Sequence, residues 1–163
     1  MMLAPLLLLT PVAAGAAPME LKLSFFSSDR STTYTAGIKP FVDAVNAEVP
    51  GVVHITVHFS GALERDPLKQ VDAVLNGTAD MAFAVPGYTP DIFPDNVVVE
   101  LPGLFSGTRE ATLVYNRLMD AGVFRGYEEL FVVAAYATEP ESIHARPAVR
   151  SLDDLKGLRL RVN

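Results

Sequence analysis

Two histidines, His54 and His58, stand four positions apart and invite a metal site, since imidazole is the commonest metal ligand. They alternate, however, with Val53, Ile55, Val57 and Phe59, and that period of two belongs to a strand. Four residues along a strand span about 13 Å, too far for two rings to share an ion held at about 2 Å. Glu139 and Glu141 flank Pro140 and could be drawn as an acid and base pair. Nothing near them in sequence would shift a carboxyl pKa, so the pattern is that of a solvated acidic loop. The sequence contains no G-x-S-x-G elbow, no P-loop, no G-x-G-x-x-G and no H-E-x-x-H. It contains no Cys, which removes disulfides, thiolate metal sites and thiol nucleophiles together. Neither a metal nor a cofactor is expected.

The rest of the composition narrows the partners. Of 163 residues, 50% are hydrophobic and 20% charged, which suits a packed domain and not a disordered chain. Thirteen basic against nineteen acidic residues give a net charge of -6, the wrong sign for neutralising nucleic-acid phosphates. Residues 1–16 have the character of a signal peptide: Leu3 and Leu6 to Leu9 form an apolar run broken by Pro5 and Pro11, too short for a membrane span of roughly 20 residues. Ala14-Gly15-Ala16 supplies small residues for cleavage after Ala16, although no Lys or Arg precedes Leu3. No other segment could cross a bilayer. The expectation is an exported, periplasmic protein with no membrane insertion once the leader is removed.

After the leader the hydrophobic period switches between two and about 3.6, the mark of an α/β chain. Leu21, Leu23 and Phe25 predict a first strand. Ile38, Phe41, Val42 and Val45 predict a helix that Pro40 delays or kinks. Val53 to Phe59 predicts a second strand, and Asp66-Pro67 a helix start, with Leu68, Val71, Val74 and Leu75 as its apolar stripe. Met81 to Val85 predicts a third strand, Val97 to Leu101 a fourth, and residues 111–122 a helix with a short continuation to Glu129. The apolar run Phe131 to Ala137 predicts a central strand covered on both faces. Ser142 to Ala145 predicts a further strand, Ser151 to Asp154 a capping box, and Leu158, Leu160 and Val162 a last strand.

In open α/β sheets, ligands sit beyond the carboxyl ends of the strands. Those ends are Ser27-Ser28, Gly61 with the Asp66 helix start, Val85 to Tyr88, and Arg161 at the last strand. Taken singly, each is also ordinary turn chemistry.

Four pieces in order, Gly61-x-Leu63, Gly77-x-x-Asp80, Leu101-Pro102-x-Leu104-Phe105 and Asp154-Leu155-Lys156-Gly157-Leu158-x-Leu160-Arg161, form a pattern. It resembles the extracytoplasmic solute-binding proteins of TRAP transporters, the dicarboxylate-binding-protein family. The resemblance runs from about Met19 to Asn163.

The resemblance implies a type II periplasmic-binding-protein-like, two-lobed α/β fold, with residues 17–130 as the first lobe and 131–163 as a crossover strand and the start of the second. It also implies capture of a small organic acid for membrane permease subunits driven by an ion gradient, with no catalysis. Arg161 matches the family's carboxylate-clamping arginine, and a planar guanidinium fork suits that task. Arg159, two residues away, is expected to be a solvated or structural charge. Relatives often carry another arginine where this chain has Ala137-Thr138-Glu139-Pro140; Arg146 is nearby in sequence and could substitute. Glu64 stands where relatives often have Gly and could narrow the cleft. Two rival readings are a secreted hydrolase or lyase using Asp66 or Glu139 as base, and a non-functional fragment of a binding protein.

Overall fold

A computed structural model describes residues 17–140 and 142–160. The expected signal peptide, residues 1–16, and the expected clamp, Arg161, lie outside the described residues. The chain divides into two compact units, one ending at Phe83 and one beginning at Ala84.

The first unit is built on three parallel strands, β1 (Met19–Ser24), β2 (Val53–His58) and β3 (Met81–Ala82), in the order β2-β1-β3. Parallel neighbours require a crossover. The first crossover is α1 (Lys39–Glu48) and the second α2 (Gln70–Leu75). β1 and β2 run in register from Met19 opposite Val53 to Ser24 opposite His58, whereas β3 adds only the rungs Leu23 to Met81 and Ser24 to Ala82. The alternation read in the sequence places Leu23 and Ile55 against Val42 of α1, with Phe25 closing that core. Asn46 on α1 treats edge strand β2 as a neighbouring strand would. Its Nδ2 donates to the Ile55 carbonyl at 3.0 Å, and its Oδ1 accepts from the Ile55 N–H at 2.8 Å.

Pro40 has a different effect from the one expected. Winding begins before it, in a wide π turn over Thr33–Ile38, and the Lys39 N–H reaches the Tyr34 carbonyl five residues back. Pro40, with no N–H to give, then sits in the first turn of α1, where none is needed.

The second unit contains helical turns at Pro86–Tyr88 and Pro94–Glu100, helix α3 (Thr108–Asp120), and a turn at Leu152–Leu155 with the expected Ser151/Asp154 capping box. Its packed centre is Phe93, Asn96, Ala111 and Tyr115. The strand expected over 97–101 is instead the end of the Pro94–Glu100 turn. The Asn96 side chain pins that turn, accepting from Tyr115 at 3.0 Å and from Tyr127 at 2.8 Å. The helix expected to continue to Glu129 is replaced by a turn at Gly126, whose φ of 93° excludes helix and where an added Cβ would collide with the Ile92 carbonyl.

Residues 131–137, expected as a central crossover strand, join no sheet among the described residues. α3 holds them through two hydrogen bonds: Asn116 Nδ2 donates to the Ala135 carbonyl at 2.7 Å, and the Ala137 N–H to Thr112 Oγ1 at 3.0 Å. Phe131 is 91% exposed. Neither 142–145 nor 158–160 forms the strand expected of it. A ladder needs a partner backbone as well as apolar side chains, and the described residues of this unit offer none.

Candidate functional site

Because β1, β2 and β3 are parallel, their carboxyl ends share one edge of the first unit, and the backbone sews the loops leaving that edge together. The Phe25 N–H donates to the His58 carbonyl at 3.0 Å, the Ser60 N–H to the Ser27 carbonyl at 2.9 Å, and the Gly61 N–H to the Phe25 carbonyl at 3.3 Å. Ser60 and Gly61 make this possible by taking successive left-handed conformations, with φ of 55° and 71°. A Cβ on Gly61 would stand 2.6 Å from the Arg65 Cα, so the position demands glycine.

Five aromatic rings gather at the same edge. Fully buried Phe25 meets Phe83 edge-on at 5.6 Å and Phe59 edge-on at 6.3 Å, and it lies 6.0 Å from Phe26. Tyr34 meets Phe59 edge-on at 4.7 Å, and Phe26 lies 5.7 Å from Phe83. Edge-to-face pairs of this kind contribute about 0.5–1.5 kcal/mol each beyond area burial and stiffen what they support.

Beneath the rings is a buried polar joint. The Ser24 hydroxyl donates to Gln70 Oε1 at 2.8 Å, and Gln70 Nε2 donates to the Glu64 carbonyl at 2.9 Å and the Asp66 carbonyl at 3.0 Å. Ser24 and Gln70 are both completely shielded from solvent.

The expected ligand residues fall into two groups. Ser27, Ser28 and Asp66 stand on the sewn loops of the first unit. Ser27 and Ser28 are half-buried on the loop after β1, and Ser28 Oγ accepts weakly from the Arg30 N–H at 3.3 Å. Asp66 caps the turn into α2, its Oδ1 accepting from the Leu68 N–H at 2.9 Å. Its carboxylate therefore has a structural task. Glu64 turns back on its own loop, accepting from the Asp66 N–H at 2.8 Å. Tyr88 and Arg146 belong to the second unit: Tyr88 is half-buried at the end of its turn, and Arg146 is exposed on a bend. Arg159 is exposed, as expected of a solvated charge. The sequence reading missed Gln70, Ser24 and the ring cluster. The rings had left a signal, since Phe25-Phe26, Phe59 and Phe83 each follow a strand directly.

Charge in the second unit is organised differently. Arg125 clamps Asp95 through Nη2 at 2.5 Å and Nε at 2.8 Å, and these bonds hold the Asp95 carboxyl down at about 2. Burial, followed by its contact with the Tyr115 hydroxyl, pushes the Tyr127 phenol upward. A shallow depression of about 390 Å³ lies beside α3 and is lined by Asn116, Phe124, Tyr127, Leu130 and the carboxylates Asp120 and Glu128. With two carboxylates and no cation, it is electrostatically wrong for an organic acid. Among the described residues, no three metal-ligating side chains gather and no helix is long and apolar enough to cross a membrane.

Solved structures similar to this chain include TRAP solute-binding proteins. A TRAP periplasmic solute-binding protein from Desulfovibrio salexigens, an open complex with the C-terminus of a symmetry mate in its ligand-binding site, is 25% identical. It superposes with a TM-score of 0.75 over 87% of this chain and 44% of its own. A marine metagenome TRAP solute-binding protein specific for aromatic acids, co-crystallised with 3-hydroxybenzoate, is 24% identical, with a TM-score of 0.75 over 87% of this chain and 45% of its own. One from Rhodoferax ferrireducens, with copurified benzoate, is 27% identical, with a TM-score of 0.52 over 55% of this chain and 28% of its own. The chain thus spans less than half the length of these structures. It has their α/β fold, that of type II periplasmic binding proteins. The sequence profile of bacterial extracellular solute-binding protein, family 7 (DctP), matches residues 24–163, and the chain belongs to that family.

Proposed function

We propose that the protein is an exported TRAP-type solute-binding protein that captures a small organic acid and hands it to membrane permease subunits. The observation that carries this reading is the family match over residues 24–163. The sewn loops at the carboxyl edge of the parallel sheet agree with it, since that edge is where open α/β sheets receive ligands. In this reading residues 1–16 direct export, 17–130 form the first lobe, and 131–163 lead into the second. Arg161 takes the carboxylate as a bidentate fork. Ser27, Ser28 and Tyr88 supply hydroxyls, the Asp66 turn holds its loop in place, and Arg146 serves a second carboxylate where the ligand has one. Aromatic monocarboxylates are the first ligands to test. They are the ligands held by two of the similar proteins, and rings are already concentrated at this edge.

The test is isothermal titration of the full-length protein with benzoate, 3-hydroxybenzoate and succinate, alongside Arg161→Lys and Arg159→Lys. A charged hydrogen bond contributes about 1.5–3 kcal/mol, so losing one from the fork should weaken the preferred acid about tenfold to a hundredfold in Arg161→Lys. Arg159→Lys should match the wild type. Equal losses in both variants, or none in Arg161→Lys, would move the ligand elsewhere.

A further inference from the structure

We propose that Gln70 is a positioning residue for ligand binding, fixing the height of the 59–66 loop over the carboxyl edge of the sheet; this rests on the organic-acid reading above. Gln70 is fully buried, and its amide is shared between two elements. Its oxygen takes the Ser24 hydroxyl at the last residue of β1, and its nitrogen holds the main-chain carbonyls of Glu64 and Asp66 on the loop after β2. No other neutral side chain of that length offers one acceptor and two donors on one plane. The loop is anchored at its start by Phe59 in the ring cluster and by the Ser60 and Gly61 N–H bonds to the β1 loop, and at its end by the Asp66 cap, whereas Ser60, Ala62 and Arg65 are exposed. At the 64–66 end of the loop, the buried amide is the tie that reaches back to the last residue of β1, while Ser60 and Gly61 make the ties at the other end. Substituting it leaves the Glu64 and Asp66 carbonyls without their donor and the Ser24 hydroxyl without its acceptor, and the loop must lift to rehydrate them.

The experiment compares wild type, Gln70→Met and Ile55→Val in the full-length protein. Gln70→Met keeps the volume and removes the polar joint. Ile55→Val loosens the same sheet at a core position remote from the loops. Three quantities are read: the dissociation constant for benzoate, the melting temperature, and amide hydrogen exchange of residues 60–66 without ligand. The expected result is that Gln70→Met weakens benzoate about tenfold and speeds exchange of 60–66. Ile55→Val should lower the melting temperature while leaving benzoate affinity and loop exchange unchanged. Unaltered affinity in Gln70→Met, or affinity that follows melting temperature equally in both variants, overturns the positioning role and leaves the organic-acid reading standing. If the wild type binds neither benzoate, 3-hydroxybenzoate nor succinate, the organic-acid reading falls and the positioning role falls with it.

Discussion

The two units of this chain hold themselves together by different means. In the first, a parallel ladder sets the frame and apolar contacts fill it: Leu23, Val42, Ile55 and the Phe25 ring cluster form one body, and the buried polar atoms serve to fasten loops. In the second, no described residue belongs to a strand, and the centre is a polar knot, with Asn96 between two phenols and an Arg125–Asp95 clamp on its rim. The contrast shows what apolar sequence can and cannot specify. Leu21 to Phe25 and Val53 to Phe59 find each other within one crossover and become a sheet. Phe131 to Ala137, no less apolar, lies extended against α3 with Phe131 and Val133 in solvent.

Four substitutions sharpen or break this contrast. Phe25→Ala should have the largest effect, removing the ring at which four others converge and costing about 3–5 kcal/mol. Chemical denaturation would measure it, with hydrogen exchange rising first in β1 and β2. Equal acceleration in α3 would erase the distinction between the units. Asn96→Leu comes next. It leaves two phenols contesting each other inside the second unit and should cost about 1–3 kcal/mol, with exchange rising in α3 while β1 stays protected. Asp66→Ala removes the cap of the turn into α2 and should cost about 1 kcal/mol in the same denaturation assay; a neutral result would mean that Glu64 and Gln70 hold the turn unaided.

The smallest effect is a pH dependence. The folded state lowers the Asp95 carboxyl from 3.8 to about 2, mainly through its hydrogen bonds with Arg125. A depressed carboxyl contributes stability that is fully present above its unfolded value and disappears as the pH falls toward its folded one. Thermal melts of the wild type should therefore lose stability between about pH 4 and 2, and Asp95→Asn should flatten part of that limb. The Glu110 and Asp154 carboxyls, also lowered by their hydrogen bonds to Ser106 and to Arg150 and Ser151, supply the remainder. An unchanged limb in Asp95→Asn would mean that the clamp is ornamental.

The sheet of the first unit was legible because a period of two, written with Val, Ile and Phe, admits few alternatives. The loops at its carboxyl ends were legible for the same reason, since fixing the strands fixes their ends. Gln70 was not. A helical stripe of Leu68, Val71, Val74 and Leu75 was expected, yet Leu68 and Leu75 are exposed while Gln70, Val71 and Ala73 are buried. The cause is the tighter turn Pro67–Lys69 ahead of α2, whose three residues per turn rotate the buried face away from the position that 3.6 would give it. The second unit was harder to read because its turns are set by polar contacts between residues far apart, such as Asn96 with Tyr127, which leave no periodic trace. Arg161 was singled out through the family's motif and through its place at the end of the last expected strand, where Leu158, Leu160 and Val162 alternate with Arg159 and Arg161.

The joint between Ser24 and Gln70 also bears on the order in which the first unit assembles. The β1–α1–β2 crossover is complete at His58, whereas Gln70 comes twelve positions later and β3 later still. A chain growing from its N-terminus can therefore close its first crossover while the Ser24 hydroxyl is still hydrated, and the amide arrives afterwards to replace that water. Interactions made after the rate-limiting step govern how long a native molecule lasts and leave the speed of its formation almost untouched. On that order of assembly, disrupting this joint should hasten unfolding with little change in refolding rate, so the bonds that tie the loop after β2 to β1 would also lengthen the lifetime of the folded first unit.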